Sequence, residues 1–535
     1  MNPRRPYNPN RKPPGLKLPG QESDRARAWP LAMGVLTVSL LAVIVYALAG
    51  LPFPTIVANP TLVSATPAPI STGGSVTRPS PASPEPTSTF FPAPSPSPTA
   101  IQTPAPTQFY KTQSGDTLPA LLARFGVNPA DLVAPEGLQG HTTLVADQLL
   151  VIPRVLAEVS PGYKIIPDSE LIFSGAAAGF DPGQFAAEQG GYLAQYKGFA
   201  DETTQRGGAL LLLSAQHHSI NPRLLTALLE YQSGWVTDPH PLGDALAYPY
   251  GYHHEYQDAL YSQLTWATKQ LAIGYYGWRA GTLTTLQFPD GSTLRLDPTL
   301  NAGTVAVQFY FAQILNRPAW EDAVGPPGLA ATYATLFGDP FAHAVAPLIP
   351  ADLTQPPLAL PFQRGHTWYY TGGPHGAWEN GGALAALDFA PASFEGGCVP
   401  SFEWVTAMAA GKIVRAEYGS VLLDLDGDGR EATGWVILYL HIADKDRVPV
   451  GEFVEAGDHI GHPSCLGGVA TGTHVHVARK YNGEWILADG VIPFDLSGWI
   501  AQRGQGEYFG SLTRDGVTID ACTCGSADTA ITADR

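Results

Sequence analysis

The spacing of apolar residues changes several times along the chain, and each change marks a candidate element. Residues 29–51, WPLAMGVLTVSLLAVIVYALAGL, contain no charged residue, and about 20 apolar residues are enough for a helix to cross a bilayer. We therefore predict a transmembrane helix or signal anchor in this segment. A cleaved signal peptide is the alternative, because Ala47-Leu48-Ala49 has the small-x-small pattern of a cleavage site.

Two longer regions show the periods of a helix and of a strand. Apolar residues recur at i, i+3 and i+4 in ALLLLSAQHHSINPRLLTALLEYQSGW, in QLTWATKQLAIGYYGW and in GTVAVQFYFAQIL, which predicts a mainly helical domain over residues 160–345. From residue 358, short apolar runs alternate with glycine, aspartate and proline, as in WVTAMAAGKIVRAEYGSVLLDLDGDG. This alternation predicts an antiparallel β domain over residues 358–505, followed by a cysteine-containing tail over residues 506–535.

A smaller module precedes the helical region, over residues 109–156. A short strand at residues 110–112 leads into Ser114-Gly115-Asp116-Thr117, a turn that also caps a helix. Apolar side chains then follow at helical spacing and predict the first helix. A second short helix and the strand Leu149-Leu150-Val151-Ile152 close the unit. The pattern predicts a βααβ module, so the chain as a whole is multidomain.

Composition separates these domains from the N-terminal part. Residues 1–28 are rich in Arg and Lys, and we predict that they form a cytoplasmic tail, which places the later domains outside the cell. Residues 52–108 consist mainly of Pro, Ser, Thr and Ala, a composition that predicts a disordered linker. The predicted location is the cell membrane, as a single-pass protein with extracellular C-terminal domains, or secretion if the N-terminal segment is cleaved.

The net charge limits the classes of binding partner, and the cysteine content indicates the cellular compartment. The formal net charge is −17, and an acidic body argues against nucleic acid as a partner, because phosphates require Lys and Arg. The four cysteines all lie in the last third of the chain, and an even number in an exported protein predicts disulfides. A bridge between Cys398 and Cys465 would hold the rim of the candidate site described next, and Cys522 and Cys524 pair with each other or with no visible partner.

Four separated histidines and one strand aspartate form a candidate metal site. His474 and His476 lie two residues apart in a predicted strand and therefore share a face. His375 lies in the glycine-rich stretch GGPHGAWENGG, and Asp388 lies between apolar neighbours, where a carboxylate is costly unless it is paired. Two histidines and a carboxylate suit Zn²⁺ with one position left for water. His441, which follows Tyr439 by two residues and is expected to share its strand face, then remains to transfer protons.

This constellation resembles the M23 zinc metallopeptidases, the group of lysostaphin and the β-lytic endopeptidases. The late His-x-His of that family matches His474-Val475-His476, its Tyr-x-His matches Tyr439-Leu440-His441, and the β-lytic Gly-Gly-x-His loop matches Gly372 to His375. The usual His-x-Gly-x-Asp is absent, since position 384 is Leu. The resemblance implies His375, Asp388 and His476 as zinc ligands, His441 and His474 as catalytic residues, and Tyr439 as a substrate-binding residue.

Two further resemblances suggest how the chain binds its substrate. The SGDTL turn and the DQLLVIP ending of residues 109–156 resemble a LysM domain, which implies binding to the glycan of peptidoglycan. SINPRLLTALLEYQSGW resembles the catalytic helix of lysozyme-like lytic transglycosylases, but Gln232 occupies the position of the catalytic acid. The helical domain is therefore expected to be a degenerate, lysozyme-like spacer or glycan binder, or a region that covers the zinc cleft.

Asp424-Leu425-Asp426-Gly427-Asp428-Gly429 resembles the start of a calcium loop, yet the twelfth position is Trp435 rather than the glutamate of an EF-hand. Calcium at Asp424, Asp426 and Asp428 therefore stays an open alternative to a solvated hairpin loop.

Together these observations predict a membrane-anchored zinc endopeptidase that cuts the stem or cross-link peptides of peptidoglycan. A non-catalytic peptidoglycan-binding scaffold or hydrolase activator is one alternative. A lytic transglycosylase that depends on Glu230 in the helical domain is the other. The sequence leaves the oligomeric state open.

Overall fold

The computed structural model describes residues 106–534 apart from residues 141, 256, 258 and 393–395. Residues Thr99–Arg535 form one compact unit. Its first part, the N-terminal module, pairs β1 (Gln108–Lys111) with β2 (Leu149–Ile152) in an antiparallel ladder. Helix α1 (Leu118–Phe125) packs on this ladder through a small core that includes Tyr110, Leu121 and Phe125. Where a second α-helix was expected there is a single 3₁₀ turn, Pro129–Asp131.

The helical region follows and contains mainly α-helices with two short hairpins. Its helices are α2 (Asp168–Leu171), α3 (Pro182–Gln189), α4 (Tyr192–Gln195), α5 (Gly207–His218), α6 (Pro222–Ser233), α7 (Asp244–Ala247), α8 (Leu260–Arg279), α9 (Ala302–Ala312), α10 (Arg317–Val324) and α11 (Leu329–Phe337). The hairpins are β3 (Lys197–Ala200) with β4 (Thr203–Arg206), and β5 (Thr285–Gln287) with β6 (Thr293–Arg295). Short 3₁₀ turns occur at Gly175–Ala177 and Pro340–His343.

Helix α6 shows how local sequence sets these boundaries. The Asn221 side chain accepts a hydrogen bond from the Arg223 amide, and Pro222 occupies the first helical turn, where no amide proton is needed. Gly234 ends the helix in the left-handed conformation at a φ of 68°. Between these caps the apolar face is fully buried in the main core.

The β region begins after residue 358 and is built around one large sheet. Its strands are β7 (Thr367–Gly376), β8 (Leu384–Pro391), β9 (Val405–Thr406), β10 (Gly411–Glu417), β11 (Ser420–Asp424), β12 (Trp435–Leu440), β13 (Phe453–Val454), β14 (His459–Gly461), β15 (Val475–Tyr481), β16 (Glu484–Trp485), β17 (Asp495–Leu496), β18 (Trp499–Arg503), β19 (Gly510–Arg514), β20 (Val517–Asp520) and β21 (Ala530–Thr532). The main sheet has the order β13-β10-β11-β12-β15-β8-β7-β21, with β16 paired to β15. The predicted antiparallel arrangement is confirmed.

The main sheet is buried on both faces, which explains the uninterrupted apolar run WVILYL of β12. Ile437 and Tyr439 face a core that belongs to the β region alone. Leu438 and Leu440 face the other way, into the core that continues through the helical region. The helical region therefore covers one face of the main sheet instead of standing apart as a spacer.

Polar contacts hold the helical region on that face. The Ser219 hydroxyl donates to the carbonyl oxygen of Gly483 over 2.6 Å, and the Tyr275 hydroxyl donates to Glu484 over 2.9 Å. The imidazole of His217 stacks on Trp378, with ring centroids 3.9 Å apart. Because these partners lie in β region loops and in β16, the two regions share one interior.

Residues 506–535, predicted as a tail, are part of the fold. They contain β19 and β20, which join β17 and β18 in a four-stranded sheet, and β21, which forms an edge of the main sheet beside β7. The last strand returns to the sheet because Ile531 and Ala533 bury their side chains in the core of the β region.

The predicted single-pass membrane location requires correction. None of the helices in the described part of the chain is long and apolar enough to cross a membrane. The predicted span, residues 29–51, the basic tail and the linker lie outside the described residues.

Candidate metal centre

His375, Asp388 and His476 meet at one point on the face of the sheet that the helical region covers. Asp388 Oδ1 lies 3.3 Å from His375 Nε2 and 3.3 Å from His476 Nδ1. The two ring nitrogens are 3.0 Å apart. All three side chains are buried, so the group is a compact set of one oxygen and two nitrogen ligands of the kind that divalent metals take.

Strand register brings these residues together. His476 on β15 is paired directly with Asp388 on β8, so the two side chains share a face. His375 lies in strand β7 rather than in a loop, and β7 shifts its register against β8 between Gly372 and Gly376. Such bulges redirect side chains. Gly372 faces Asp388, and a β-carbon at position 372 would lie 2.5 Å from its carboxylate, so glycine is required here.

Backbone carbonyls fix the protonation of both histidines. His375 Nδ1 donates to the Gly373 carbonyl over 2.8 Å, and His476 Nε2 donates to the Ala377 carbonyl over 3.0 Å. A neutral imidazole carries one proton, so the inner nitrogens, His375 Nε2 and His476 Nδ1, present lone pairs to each other. Within the described residues, Asp388 Oδ1 has no hydrogen-bond partner. These three facing acceptors fit a cation between them.

The charges of the group are coupled. Burial alone would raise the pKa of Asp388, but the neighbouring His375 and His474 lower it well below its usual range. Burial lowers the pKa of His375, and the charge of Asp388 outweighs that effect and raises it. The carboxylate is thus held ionised inside the protein, where an isolated charge would be costly.

His441 and His474 lie beside this group, and the Nδ1 atom of each is also hydrogen-bonded to a backbone carbonyl. His474 Nδ1 donates to the Gly472 carbonyl over 2.7 Å, and His441 Nδ1 donates to the Leu466 carbonyl over 3.0 Å. Their ring centroids are 4.4 Å apart, and His474 Nε2 is 3.7 Å from Asp388 Oδ1. Burial, together with His474 and His476, lowers the pKa of His441 to about 3. His441 is therefore neutral at pH 7.

Tyr439, predicted to bind substrate, does not line the cleft. Its ring is fully buried in the core of the β region, and its hydroxyl accepts a hydrogen bond from the Met408 amide over 2.7 Å. The expectation that Tyr439 and His441 share a face was wrong, because His441 has a φ of 67° and lies beyond the end of β12. That conformation breaks the strand alternation and turns His441 into the cleft.

Replacing Tyr439 with phenylalanine tests this structural role. The substitution removes the acceptor of the buried Met408 amide, which should cost about 1–3 kcal/mol of unfolding free energy. Peptide cleavage per folded molecule should stay within about twofold of the unmodified chain, because the tyrosine hydroxyl does not reach the cleft. Urea unfolding and initial cleavage rates measure the two effects. A large loss of rate with unchanged stability would contradict the assignment.

Tyr508 is a site residue that the sequence did not reveal. Its ring stacks on His375, with centroids 4.2 Å apart, and its hydroxyl donates to Asn380 Oδ1 over 2.7 Å. Burial, with Asp388 and Glu507 nearby, raises the pKa of Tyr508 to about 12. A single aromatic residue in the loop between β18 and β19 carries no sequence signal of this role, since only the fold brings it to His375.

The candidate metal-binding group opens into a cavity of about 600 Å³ that also reaches His441, His474 and Tyr508. Disulfides join Cys398 to Cys465 and Cys522 to Cys524, so the predicted bridges are confirmed. The Thr473 hydroxyl donates to the carbonyl of Val399 over 2.5 Å. Through these bonds the first bridge holds two loops against the strand that carries the His-x-His pair.

The three acidic residues of the hairpin after β11 do not support calcium. Their carboxylates come within 4.8 Å of one another, but amides within the same turn satisfy them. Asp424 accepts from the amides of Asp426, Gly427 and Gly429, and Asp428 accepts from the Arg430 amide and the Thr433 hydroxyl. The turn is therefore a self-bonded hairpin loop.

The two positions considered for a glycan-cleaving acid, Glu230 and Gln232, form hydrogen bonds inside the helical region. Glu230 accepts hydrogen bonds from the amides of Val236 and Thr237 and from the Thr237 hydroxyl, which ties down the chain after helix α6. Gln232 donates to the Tyr310 hydroxyl over 3.3 Å. Both side chains are therefore engaged in contacts within the helical region.

Comparison with known proteins gives two independent matches. Residues 164–350 match the family model described as the N-terminal domain of LasA. Protease LasA of Pseudomonas aeruginosa is 27% identical over 302 residues in strain UCBPP-PA14 and 28% identical over 306 residues in strain PAO1. Each alignment covers 51% of this chain and 66% of the relative, slightly less than two thirds of its length. Both comparisons therefore show similarity to LasA.

Solved structures give partial likenesses to the same group. Pseudoalterin, described as a novel M23 metalloprotease from the deep sea, is 24% identical, with a TM-score of 0.27 over 32% of this chain and 95% of its own. The catalytic domain of lysostaphin from Staphylococcus simulans is 28% identical, with a TM-score of 0.17 over 23% of this chain and 89% of its own. Both TM-scores lie below 0.5, so these structural likenesses support no conclusion about this chain.

The similarity to LasA therefore rests on sequence, and the family match lies in the helical region. The LasA model covers the whole of helices α2 to α11, the region predicted to be lysozyme-like. The lysozyme-like and LysM resemblances of the helical region and the N-terminal module remain predictions.

Proposed function

We propose that this chain is a zinc-dependent endopeptidase that cleaves the stem or cross-link peptides of peptidoglycan, with His375, Asp388 and His476 as metal ligands. The buried oxygen of Asp388, which has no hydrogen-bond partner among the described residues and faces an inner ring nitrogen of each histidine, is the observation that carries the proposal. Zinc bonds of about 2.0–2.1 Å in a tetrahedral site separate ligand atoms by about 3.3 Å. The three atoms here are 3.0 to 3.3 Å apart.

Bound zinc would act as a Lewis acid and lower the pKa of a water molecule towards neutrality. The chain supplies the proton transfer. His441 and His474 present Nε2 to the cleft while Nδ1 is held by a carbonyl, which suits them to accept a proton from the attacking water and return it to the departing amine. Tyr508 holds the His375 ring in place by stacking.

The substrate proposal rests on the motif resemblance to the lysostaphin and β-lytic group, on the similarity to Protease LasA and on the predicted LysM character of the N-terminal module. Glycan binding through that module would raise the local concentration of peptide at the cleft. A non-catalytic wall-binding scaffold is the alternative, and it differs in holding no functional metal.

Zinc removal provides the test. The full chain should contain one zinc ion and release new peptide amino termini from purified peptidoglycan, without new reducing sugar ends. Treatment with 1,10-phenanthroline followed by dialysis should abolish cleavage, and one equivalent of zinc should restore it, because the three ligands are preformed. Mass spectrometry of the products identifies the bond. A folded chain that binds no zinc and releases no product would establish the scaffold alternative.

Replacing Glu230 with glutamine separates peptide cleavage from glycan cleavage. Peptide release and zinc content should be unchanged, because Glu230 serves the chain after helix α6. Weaker hydrogen bonds to the neutral amide should lower the unfolding free energy by about 1 kcal/mol. Asp322→Asn, on the nearby helix α10, is a control for loss of an acidic charge. Loss of reducing-end release with Glu230→Gln alone would favour the transglycosylase.

A further inference from the structure

The loop between β18 and β19, residues 504–509, packs against strand β7 beside His375. The Gly373 amide donates to the carbonyl oxygen of Tyr508 over 2.9 Å, and the Gly373 carbonyl accepts from His375 Nδ1 over 2.8 Å. A β-carbon at Gly373 would lie 2.7 Å from the Gly510 amide nitrogen, so only glycine allows this close approach. One residue of β7 thus contacts both a candidate metal ligand and the loop.

The backbone of Tyr508 is held in an uncommon conformation. Its φ is 68°, in the left-handed region that residues other than glycine rarely adopt. Such a conformation persists only where the surrounding contacts determine it, and it is concentrated at functional sites. The ring of Tyr508 lies over His375, with the ring centroids 4.2 Å apart and the ring planes inclined by 22°. The contacts of this loop therefore decide where the Tyr508 ring lies.

Two hydrogen bonds join this loop to residues 377–383, the loop between β7 and β8. The Tyr508 hydroxyl donates to Asn380 Oδ1 over 2.7 Å. The Gly381 amide donates to Glu507 Oε2 over 3.2 Å. The first bond fixes the hydroxyl end of the tyrosine ring, and the second holds the two loops together.

Asn380 has no other assigned part in the site. Its side chain is exposed, and the candidate ligand group found among the described residues does not include it, although it lines the same cavity as Tyr508. An exposed hydrogen bond contributes little to folding, because water competes for both partners. The main consequence of the bond between Asn380 and Tyr508 is therefore the position of the ring that stacks on His375.

We infer that Asn380 is a positioning residue of the candidate metal centre, which holds the Tyr508 ring against His375 and so fixes the orientation of that ligand. The inference rests on the proposed function, since His375 must bind the metal. Contacts to the outer side of a metal-ligating histidine set its ring orientation and the affinity for the metal. For His375 the Gly373 carbonyl holds one edge of the ring, and the Tyr508 ring limits tilting of its face.

The zinc affinity of the full chain tests this role without requiring catalysis. Competition with a chelating dye should show about tenfold weaker zinc binding in Asn380→Ala than in the unmodified chain. Asn380→Asp retains an acceptor oxygen and should bind zinc at least as tightly as the unmodified chain. Cobalt(II) added in place of zinc gives a spectroscopic readout, because its visible absorption depends on ligand geometry. The cobalt spectrum should change in Asn380→Ala and stay unchanged in Asn380→Asp.

A double-mutant cycle shows whether Asn380 acts through Tyr508. Tyr508→Phe keeps the ring and removes the hydroxyl that donates to Asn380, so it should weaken zinc binding by the same factor as Asn380→Ala. The variant that carries both substitutions should bind zinc no more weakly than either single variant, since both changes remove one hydrogen bond. Additive losses would mean that Asn380 acts independently of Tyr508 and would overturn the inference.

Asn316→Ala provides a control for a loss of stability outside the site. The Asn316 side chain caps helix α10 by accepting from the Ala319 amide, so its removal should lower the urea unfolding midpoint and leave zinc affinity and the cobalt spectrum unchanged. Asn380→Ala should leave the unfolding midpoint of the metal-free chain unchanged. Unaltered zinc affinity and cobalt spectrum in Asn380→Ala, or an equal loss of zinc affinity in Asn316→Ala, would overturn the inference.

Metal binding and cleavage together separate this test from that of the proposed function. If the unmodified chain binds zinc but releases no peptide from peptidoglycan, the proposed function is refuted, and the zinc affinities of the variants still decide the role of Asn380. If the unmodified chain binds neither zinc nor cobalt, both proposals are refuted. Cleavage by the unmodified chain with equal zinc affinity in all variants refutes the positioning role alone.

Discussion

Replacing His375 with alanine should abolish zinc binding and lower peptide cleavage by about a thousandfold or more. His375 contributes one of the two inner nitrogens that face Asp388, and without it the carboxylate and His476 cannot close a three-ligand site. His476→Ala should have the same effect from the opposite strand. Zinc content measured by mass spectrometry, together with initial rates of peptide release, checks both variants.

Substitution of a histidine outside the site serves as a control for loss of an imidazole. His459 is exposed on β14, where it stacks on Trp404 with centroids 4.0 Å apart. His459→Ala should retain zinc and full activity. If His375→Ala retains one zinc ion per folded chain, the metal assignment is wrong, whatever happens to the rate. If zinc is lost but peptide cleavage persists, the metal is not required for the reaction.

Replacing Arg279 with methionine should lower the unfolding free energy by about 3–5 kcal/mol, because it breaks a largely buried ion network. Arg279 lies at the end of helix α8 and contacts all three regions. It pairs with Asp168 at 3.2 Å and with Glu484 at 3.1 Å, and it donates to the Ser114 carbonyl of the N-terminal module. Its loss leaves buried carboxylates without a counterion.

Urea unfolding with a matched control measures this effect. Arg317→Met removes an exposed ion pair with Glu321 and should change the free energy by about 0.5 kcal/mol or less. Adding Glu484→Gln to Arg279→Met should recover part of the loss, since one uncompensated charge is then removed. A loss for Arg279→Met no larger than that of the control would mean that the network does not stabilise the fold.

The candidate site could be predicted from the sequence because its residues occur in short, recognisable patterns. The His-x-His pair shares a face by strand alternation alone, and an aspartate between apolar residues indicates a charge that must be compensated. His375, Asp388 and His476 are indeed brought together, as the motif resemblance implied. Tyr439 was misplaced because alternation was extended one residue past the end of β12, where the positive φ of His441 breaks it.

By itself the sequence determined the helical and strand periods and the antiparallel β region, and it predicted the disulfides and the candidate metal ligands, because these depend on residue type and short spacing. Tertiary structure alone decided that Tyr508 stacks on His375, that the last residues return as a strand and that the helical region covers the sheet. These features depend on the pairing of surfaces formed by residues far apart in the chain, and no local pattern specifies which surfaces meet.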